Sequence, residues 1–200
     1  VPTIFSHLGV SIPAAWGFDG VPLTNPATTD PFDSLLSDLQ GAVDEMNIDA
    51  SIVGWTPTAP PLWSVDNSAM TGGGVTEWRG WSFVDEAFWS EADSGQGREA
   101  FVRSRGVIAV ADPDEWDDLG SPSQSGTFDS TLVSSPYDVA GRSTVRLRFA
   151  SHYRQEGMQK ASVLVSFDGG ASQTVLHYDD ASASDNAGGD VISQIETLDV

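Results

Sequence analysis

The sequence predicts a mainly β protein in which short strands form a sandwich. From Trp55 onward, short apolar runs are separated by glycine, proline, asparagine and serine, which is typical of all-β sandwiches. Residues 145–149 alternate apolar and basic side chains, as a strand does when one of its faces is buried. Asp168, Gly169 and Gly170 predict a hairpin turn, because glycine readily adopts the positive φ angles that tight turns need.

Large side chains concentrate in residues 55–118, which contain six of the seven tryptophans. A buried aromatic side chain removes roughly 150–250 Å² from water. Such a stretch therefore forms the core of a domain, lines a binding face, or does both. Within it, residues 106–111 are a short apolar run that predicts a strand.

Further elements are predicted on either side of this stretch. Residues 163–167 and 174–178 predict the two strands of the hairpin, and residues 195–200 alternate as another strand. Upstream, Asp30 as N-cap, Pro31 at the first helical position and apolar residues at helical spacing predict a helix over 31–46, although Gly41 interrupts the pattern. A shorter helix is predicted to end at Leu8.

The composition is strongly acidic, since 29 Asp and Glu against nine Lys and Arg give a net charge of -20. This charge repels phosphate backbones and anionic lipids, so we expect no nucleic-acid partner and no membrane-surface partner. No apolar run approaches the roughly 20 residues of a membrane span. The absence of cysteine excludes disulfides and thiolate metal sites. Two explanations of the acidity stay open, which are solubility and carboxylate clusters that hold calcium.

Residues 1–24 carry a specific resemblance. The pattern PTI-x-x-x-LGV, a spacer with proline, and a D-G-x-P-L turn follow one another. This order resembles the closing segment of the catalytic domain in the alkaline phosphatase superfamily, which includes sulfatases and type I phosphodiesterases. The resemblance implies a parent enzyme in which catalytic divalent metals activate a nucleophile against a phosphate or sulfate ester. All of those ligands would lie upstream, so we expect no catalytic residue here, and His7 is expected to be packed or solvent-facing.

The stretch from about residue 50 to 200 resembles bacterial jelly-roll accessory domains, similar to MAM-like and concanavalin-like sandwiches. The segments that carry this resemblance are residues 134–139, 145–153 and 163–170. Such domains often open with a strand at a turn like that of residues 37–41, which is the alternative to the predicted helix.

Together, the two resemblances imply three parts. Residues 1–24 are a remnant of an α/β catalytic domain, 25–49 a linker with a short helix, and 50–200 a truncated jelly-roll domain. Both termini are accordingly expected to be cut, and the protein to be extracellular or periplasmic.

The candidate metal ligands are Asp112, Asp114 and Asp117, in the densest carboxylate run of the chain. Calcium takes six to eight oxygen ligands, which such short runs can supply together with backbone carbonyls. The run lacks the glycine and the spaced glutamate of an EF-hand. Structural calcium and an unoccupied acidic loop are therefore both open.

The candidate ligand-binding residues are Trp78, Arg79, Trp81 and Trp89. Carbohydrate sites stack sugar faces on exposed aromatic rings and use charged side chains for the hydroxyl groups. The alternative is that these rings fill the core between two sheets. Glu77 is a weaker candidate for an acid or base, for which an ion pair with Arg79 is the alternative.

The sequence thus predicts a non-catalytic C-terminal piece of a secreted, metal-dependent phosphoric or sulfuric ester hydrolase. Its sandwich is expected to bind a glycan or cell-surface ligand; the alternative is a purely structural sandwich that packs on its own upstream catalytic domain. The three histidines are scattered, so the sequence predicts no Ser/His/Asp site of the kind that hydrolases use.

Overall fold

The computed structural model describes residues 30–49, 51–92, 95–118 and 126–200. In these residues the fold is mainly β with several antiparallel sheets, as the sequence predicts. The segment 1–24, with its predicted helix and His7, lies outside the described residues. The strands of the described residues are β1 (Gln40–Gly41), β2 (Val53–Thr56), β3 (Ser64–Asp66), β4 (Ser82–Asp85), β5 (Val107–Val110), β6 (Thr131–Val133), β7 (Arg146–Tyr153), β8 (Ala161–Val165), β9 (Gln173–Tyr178) and β10 (Val191–Asp199).

Four strands form one antiparallel sheet with the order β1-β2-β4-β5. The other strands form three antiparallel pairs, which are β3 with β6, β7 with β10, and β8 with β9. The strand predicted in residues 106–111 is β5. The helical elements are α1 (Glu86–Ala92), α2 (Pro113–Asp117) and 3-10 helices at Pro31–Leu35, Thr76–Trp78 and Arg98–Ala100.

The main core contains most of the aromatic stretch. Trp55, Trp78, Trp89 and Trp116 are all at most 8% exposed and belong to one cluster of buried side chains. Helix α1 contributes Phe88, whose ring centroid lies 6.1 Å from that of Trp78. Of the two roles that the sequence left open for this stretch, most of its tryptophans therefore take the core role.

Strand β4 is buried on both faces. Its Val84 belongs to the main core, whereas the adjacent Phe83 packs in a second core with Leu35 and Val107. Successive side chains of a strand point to opposite faces of a sheet. The two cores consequently lie on opposite sides of the four-stranded sheet, with the 3-10 helix Pro31–Leu35 and the β3–β6 pair covering the second.

The helix predicted over residues 31–46 is wrong, because helical structure ends at Leu35. Asp30 does cap this short 3-10 helix, since its Oδ1 accepts a hydrogen bond from the Phe32 N–H at 3.0 Å. Further along, the Gly41 carbonyl accepts a hydrogen bond from Trp55 Nε1 at 2.8 Å, and β1 pairs with β2. The contacts of Trp55 therefore favour a strand at Gln40–Gly41, which is the alternative that the sequence left open, over the helix that the spacing of apolar residues predicts.

The C-terminal part consists of two long antiparallel pairs packed on each other. Leu176 and Tyr178 of β9 are buried together with Val191 at the start of β10. Between β8 and β9, Asp168 and Gly169 have φ angles of 52° and 71°, so the predicted tight turn is confirmed. The strands predicted from alternation in this region are confirmed as β7 to β10.

His152 on β7 connects the C-terminal pairs to the main core. Its ring centroid lies 5.9 Å from that of Trp89 and 5.5 Å from that of Phe101. Neither ring nitrogen has a hydrogen-bond partner among the described residues. Burial, followed by the charge of Arg154, lowers the pKa of His152. The neutral imidazole is thus the form that suits this contact.

Gly54 on β2 tests how tightly the main core is packed. A Cβ there would lie 2.5 Å from Phe88 Cβ, whereas a Cβ at Gly73 would have nothing within 4 Å. We expect Gly54→Ala to lower the free energy of unfolding by about 1–3 kcal/mol, because a close-packed core accepts a methyl group only by moving its neighbours. Gly73→Ala, the matched control, should change it by less than about 0.5 kcal/mol. Chemical denaturation measures both, and equal stabilities would contradict the prediction.

Candidate functional site

Two of the four predicted ligand-binding residues lie in the main core. Trp78 is 0% exposed and donates its Nε1–H to Glu45 Oε2 at 2.9 Å. Trp89 is 8% exposed and donates its Nε1–H to Asp112 Oδ2 at 2.9 Å. A buried carboxylate satisfies each indole N–H, so both rings can be buried without an unpaired donor. For these two residues, the alternative that the rings fill the core is the one observed.

The other two, Arg79 and Trp81, belong to a turn at the surface. Arg79 is exposed and Trp81 is partly buried. Asn67 Nδ2 donates to the Arg79 carbonyl at 3.0 Å, and Ser130 Oγ accepts from the Trp81 N–H at 3.1 Å. The turn passes through Gly80, where a Cβ would lie 2.1 Å from Asn67 Oδ1. The four predicted residues therefore do not form one open platform for a sugar.

The predicted calcium ligands Asp112, Asp114 and Asp117 lie on or beside α2 but do not gather around one point. Asp112 caps the helix, since its Oδ1 accepts from the Glu115 N–H at 3.3 Å. Asp114 accepts a hydrogen bond from Gln96 Nε2 at 2.7 Å. In the part of the chain that the structure describes, no group of three or more His, Cys, Asp or Glu side chains is placed to hold a metal ion.

A buried arginine organises this acidic region. The Nη2 atom of Arg98 lies 2.9 Å from Asp112 Oδ2 and 2.7 Å from Glu115 Oε1. Its Nη1 donates to the Trp89 carbonyl at 3.1 Å, and the guanidinium carbon lies 5.5 Å from the centroid of the same indole. One side chain thus links α1, α2 and the 3-10 helix between them.

Glu115 has an unusual proton affinity. Burial raises its pKa to about 7, and the Asp112 and Glu45 carboxylates add to this effect, although Arg98 opposes it. One guanidinium charge cannot balance two buried carboxylates. Glu115 therefore exchanges a proton near neutral pH.

Glu77 is also fully buried, and its partners are backbone groups rather than Arg79. Its Oε1 accepts from the N–H groups of Val43 and Asp44, the second at 3.0 Å. Asp44 in turn accepts from the Thr76 N–H at 2.7 Å and from Thr76 Oγ1 at 2.9 Å. Burial, then the Asp44 carboxyl, raises the pKa of Glu77. Its burial keeps Glu77 away from any substrate, so we assign it a structural role.

An open cleft of about 440 Å³ lies beside the first 3-10 helix. Its lining combines three proline rings with two carboxylates and a hydroxyl, from Asp30, Pro31, Asp33, Ser34, Pro60 and Pro61. Trp63, two residues beyond Pro61, is half-buried and makes an edge contact with Phe32 at 5.5 Å between ring centroids. Apolar walls with a few polar groups are the usual composition of a small-molecule site.

Sequence reasoning missed one polar cluster, on an open face of the β8–β9 hairpin. Ser162 Oγ lies 2.8 Å from His177 Nδ1, and His177 Nε2 lies 3.1 Å from Asp179 Oδ2. Ser162 and His177 are cross-strand partners. The alternation of a strand could have placed His177 and Asp179 on one face. Nothing in the sequence pattern brings Ser162 opposite them.

The chain matches no protein-family model, no curated protein and no solved structure. None of the helices in the described ranges is long and apolar enough to cross a membrane.

The variant Glu115→Gln tests the proton on Glu115. The folded state holds this proton up to about pH 7, whereas the unfolded carboxyl loses it near 4.5. The unfolded state therefore releases its proton first, and the wild type loses stability as pH rises through this window, by up to about 3 kcal/mol. Glutamine does not ionise, so the free energy of unfolding of the variant, relative to that of the wild type, should rise by this amount between pH 4 and 8. Denaturant titrations of both proteins at pH 4 and pH 8 measure the difference in their free energies of unfolding. Because His152 is present in both proteins, its own titration drops out of this difference. The same difference at both pH values would refute the assignment.

Proposed function

We propose that the chain is a β-rich accessory module that binds an uncharged glycan on a cell or polymer surface. In this proposal, it belongs to a secreted, metal-dependent phosphoric or sulfuric ester hydrolase whose catalytic metals lie in the upstream domain. The observation that carries glycan binding is the open cleft beside Pro31–Leu35. The resemblance of residues 1–24 supports the link to the hydrolase.

The lining of the cleft suits a sugar ring. Pro31 and Pro61 are exposed and offer apolar surface, against which the C–H face of a sugar can pack. Asp33 is exposed, so its carboxylate is available to accept hydrogen bonds from hydroxyl groups. Ser34 Oγ donates to the Pro31 carbonyl at 2.7 Å, which leaves its oxygen as an acceptor.

The charge of the cleft selects among glycans. Asp30 and Asp33 place two carboxylates at its lining, and the whole chain carries a net charge of -20. Carboxylated or sulfated sugars would be repelled at this position. The proposed ligand is therefore a neutral oligosaccharide or polysaccharide.

A second candidate function is packing on the upstream catalytic domain. It is favoured by apolar side chains that the C-terminal strand pairs leave exposed. Leu164, Phe167 and Ile192 are 53%, 46% and 44% exposed, respectively. Exposed apolar side chains of this size are common at interfaces between domains.

The variant Asp33→Ala tests the cleft. Loss of a charged acceptor typically costs about 1.5–3 kcal/mol, so affinity for a neutral glycan should fall at least about tenfold. Affinity electrophoresis through gels that contain neutral polysaccharides, with an acidic polysaccharide beside them, measures this change. Asp129→Ala, which removes another exposed carboxylate, is the matched control. Equal retardation of both variants, or retardation only by the acidic polymer, would contradict the proposal.

Deletion of residues 30–200, which removes the cleft and the cores as a whole, from the parent hydrolase separates the two functions. If the module binds glycan, activity on a small soluble ester should be kept, while activity on glycan-bound substrate falls. A structural sandwich predicts loss on both substrates, because the catalytic domain would lose its packing surface. Initial rates on the two substrates, compared with those of the full-length enzyme, decide between them.

A further inference from the structure

We propose that Ser162, His177 and Asp179 form a nucleophilic site that cleaves uncharged carboxylic esters. This site lies on the β8–β9 hairpin and uses none of the residues that line the glycan cleft. It is independent of the proposed glycan binding, so either proposal can fail without the other. It also gives the module a chemistry different from phosphate or sulfate ester hydrolysis.

The hydrogen bonds of Asp179 fix the tautomer of His177. Asp179 Oδ1 accepts from the Ala181 N–H at 2.8 Å, while Oδ2 faces His177 Nε2. The bond from Ala181, and then His177 itself, lowers the pKa of Asp179, so its carboxylate is ionised and only accepts. Nε2 must therefore carry the proton.

With the proton on Nε2, the neutral ring has its free lone pair on Nδ1. Ser162 Oγ lies 2.8 Å from this nitrogen and must donate its hydrogen to it. This is the arrangement of nucleophile, base and orienting acid that serine hydrolases use, with the roles of the two ring nitrogens exchanged. Three side chains in these relative positions meet the geometric requirement for general-base activation of a serine.

The backbone holds the three residues in place. Ser162 and His177 are paired across two antiparallel strands, and the His177 N–H donates to Asp185 Oδ2 at 2.7 Å. Asp179 follows His177 by two residues, and its carbonyl accepts from Ser184 Oγ at 3.3 Å. The loop after β9 thus fixes the acid, and the hairpin fixes the nucleophile and the base.

The site is open to substrate and selects against anions. Ser162 is exposed, and the side chains of His177 and Asp179 are 38% and 18% exposed. Asp179 and Asp185, both acidic, contact His177. An anionic ester would be repelled here, whereas a neutral ester would not.

The proposed hydrolysis needs only the ester and water. Ser162 Oγ attacks the carbonyl carbon of the ester while its proton moves to His177 Nδ1, and Asp179 stabilises the resulting imidazolium. When the C–O bond to the alcohol breaks, the leaving oxygen takes this proton. Water, deprotonated by Nδ1, then cleaves the acyl-serine to give the carboxylic acid and free Ser162.

A neutral fluorophosphonate probe tests the nucleophile directly in the intact chain. The activated Ser162 should displace fluoride and form a phosphonyl ester, which peptide mass spectrometry locates. Ser166 is also exposed but donates its hydroxyl to the Gly170 carbonyl at 2.8 Å, so it is the matched internal control. We expect Ser162 to be labelled at least about 100-fold faster than Ser166, the lower end of what a positioned general base contributes.

Three variants separate catalysis from hairpin stability. His177→Gln keeps a side chain that can accept from Ser162 but removes the base, so labelling of Ser162 should fall to the rate of Ser166. Asp179→Asn should lower it as well, whereas Ser166→Ala should leave it unchanged. Melting temperatures of all three are measured alongside. Equal labelling of Ser162 and Ser166, or labelling that His177→Gln does not change in a folded variant, would overturn the proposal and leave the cluster as a cross-strand hydrogen bond.

Discussion

The ion pairs of Arg98 are the contact on which the main core depends. This guanidinium is 3% exposed and meets two carboxylates, Asp112 and Glu115, that are buried with it. Replacing one partner of such a group would leave a charge in the interior, which typically costs about 3–5 kcal/mol. Because Arg98 also holds the Trp89 carbonyl, the same contact sets the position of helix α1 against α2. Two of the tryptophans of the core, Trp89 and Trp116, are placed by these helices.

An acidic chain needs other donors for its remaining buried carboxylates. Arg98 is the one buried basic side chain among the residues that the structure describes. Glu45 is satisfied by the Trp78 indole and by the Asn47 N–H, and Glu196 accepts from the Tyr178 hydroxyl at 2.8 Å. Neutral donors of this kind satisfy an acceptor without supplying positive charge. Two of the core tryptophans, Trp78 and Trp89, therefore satisfy buried acids directly, because their indole N–H groups pair with Glu45 and Asp112. Trp55 instead donates its indole N–H to the Gly41 carbonyl.

The local pattern of the chain predicts elements well where side-chain alternation alone decides them. The strands β5 and β7 to β10 and the turn at Asp168 follow from periodicity and from glycine. The structure of the segment after Leu35 does not follow from its local pattern, because its apolar residues fit a helix. Its backbone instead accepts a hydrogen bond from the Trp55 indole and donates one to the Glu77 carboxylate. The core positions of Trp78 and Trp89 could not be predicted from the local sequence either, since the carboxylates that accept from their indole N–H groups are more than 20 residues away in sequence. Long-range partners of this kind leave no mark on local periodicity.

The hairpin cluster could not be predicted for a different reason, because the sequence does not reveal which residues of β8 and β9 pair with each other. Counting outward from the bonded pair Phe167 and Gly170, a regular hairpin would place Ser162 opposite Val175 and His177 opposite Lys160. In the structure Val165 pairs with Gln173 and Ser162 with His177, because the hairpin contains irregularities near the turn and between Val163 and Leu164. Side chains repeat every two residues along a strand, so this two-residue displacement keeps each side chain on its face while exchanging its partner. Bulges often re-aim side chains in this way. Here the displacement gives the histidine a hydroxyl partner in place of a lysine, and this exchange makes His177 able to act as a base toward Ser162.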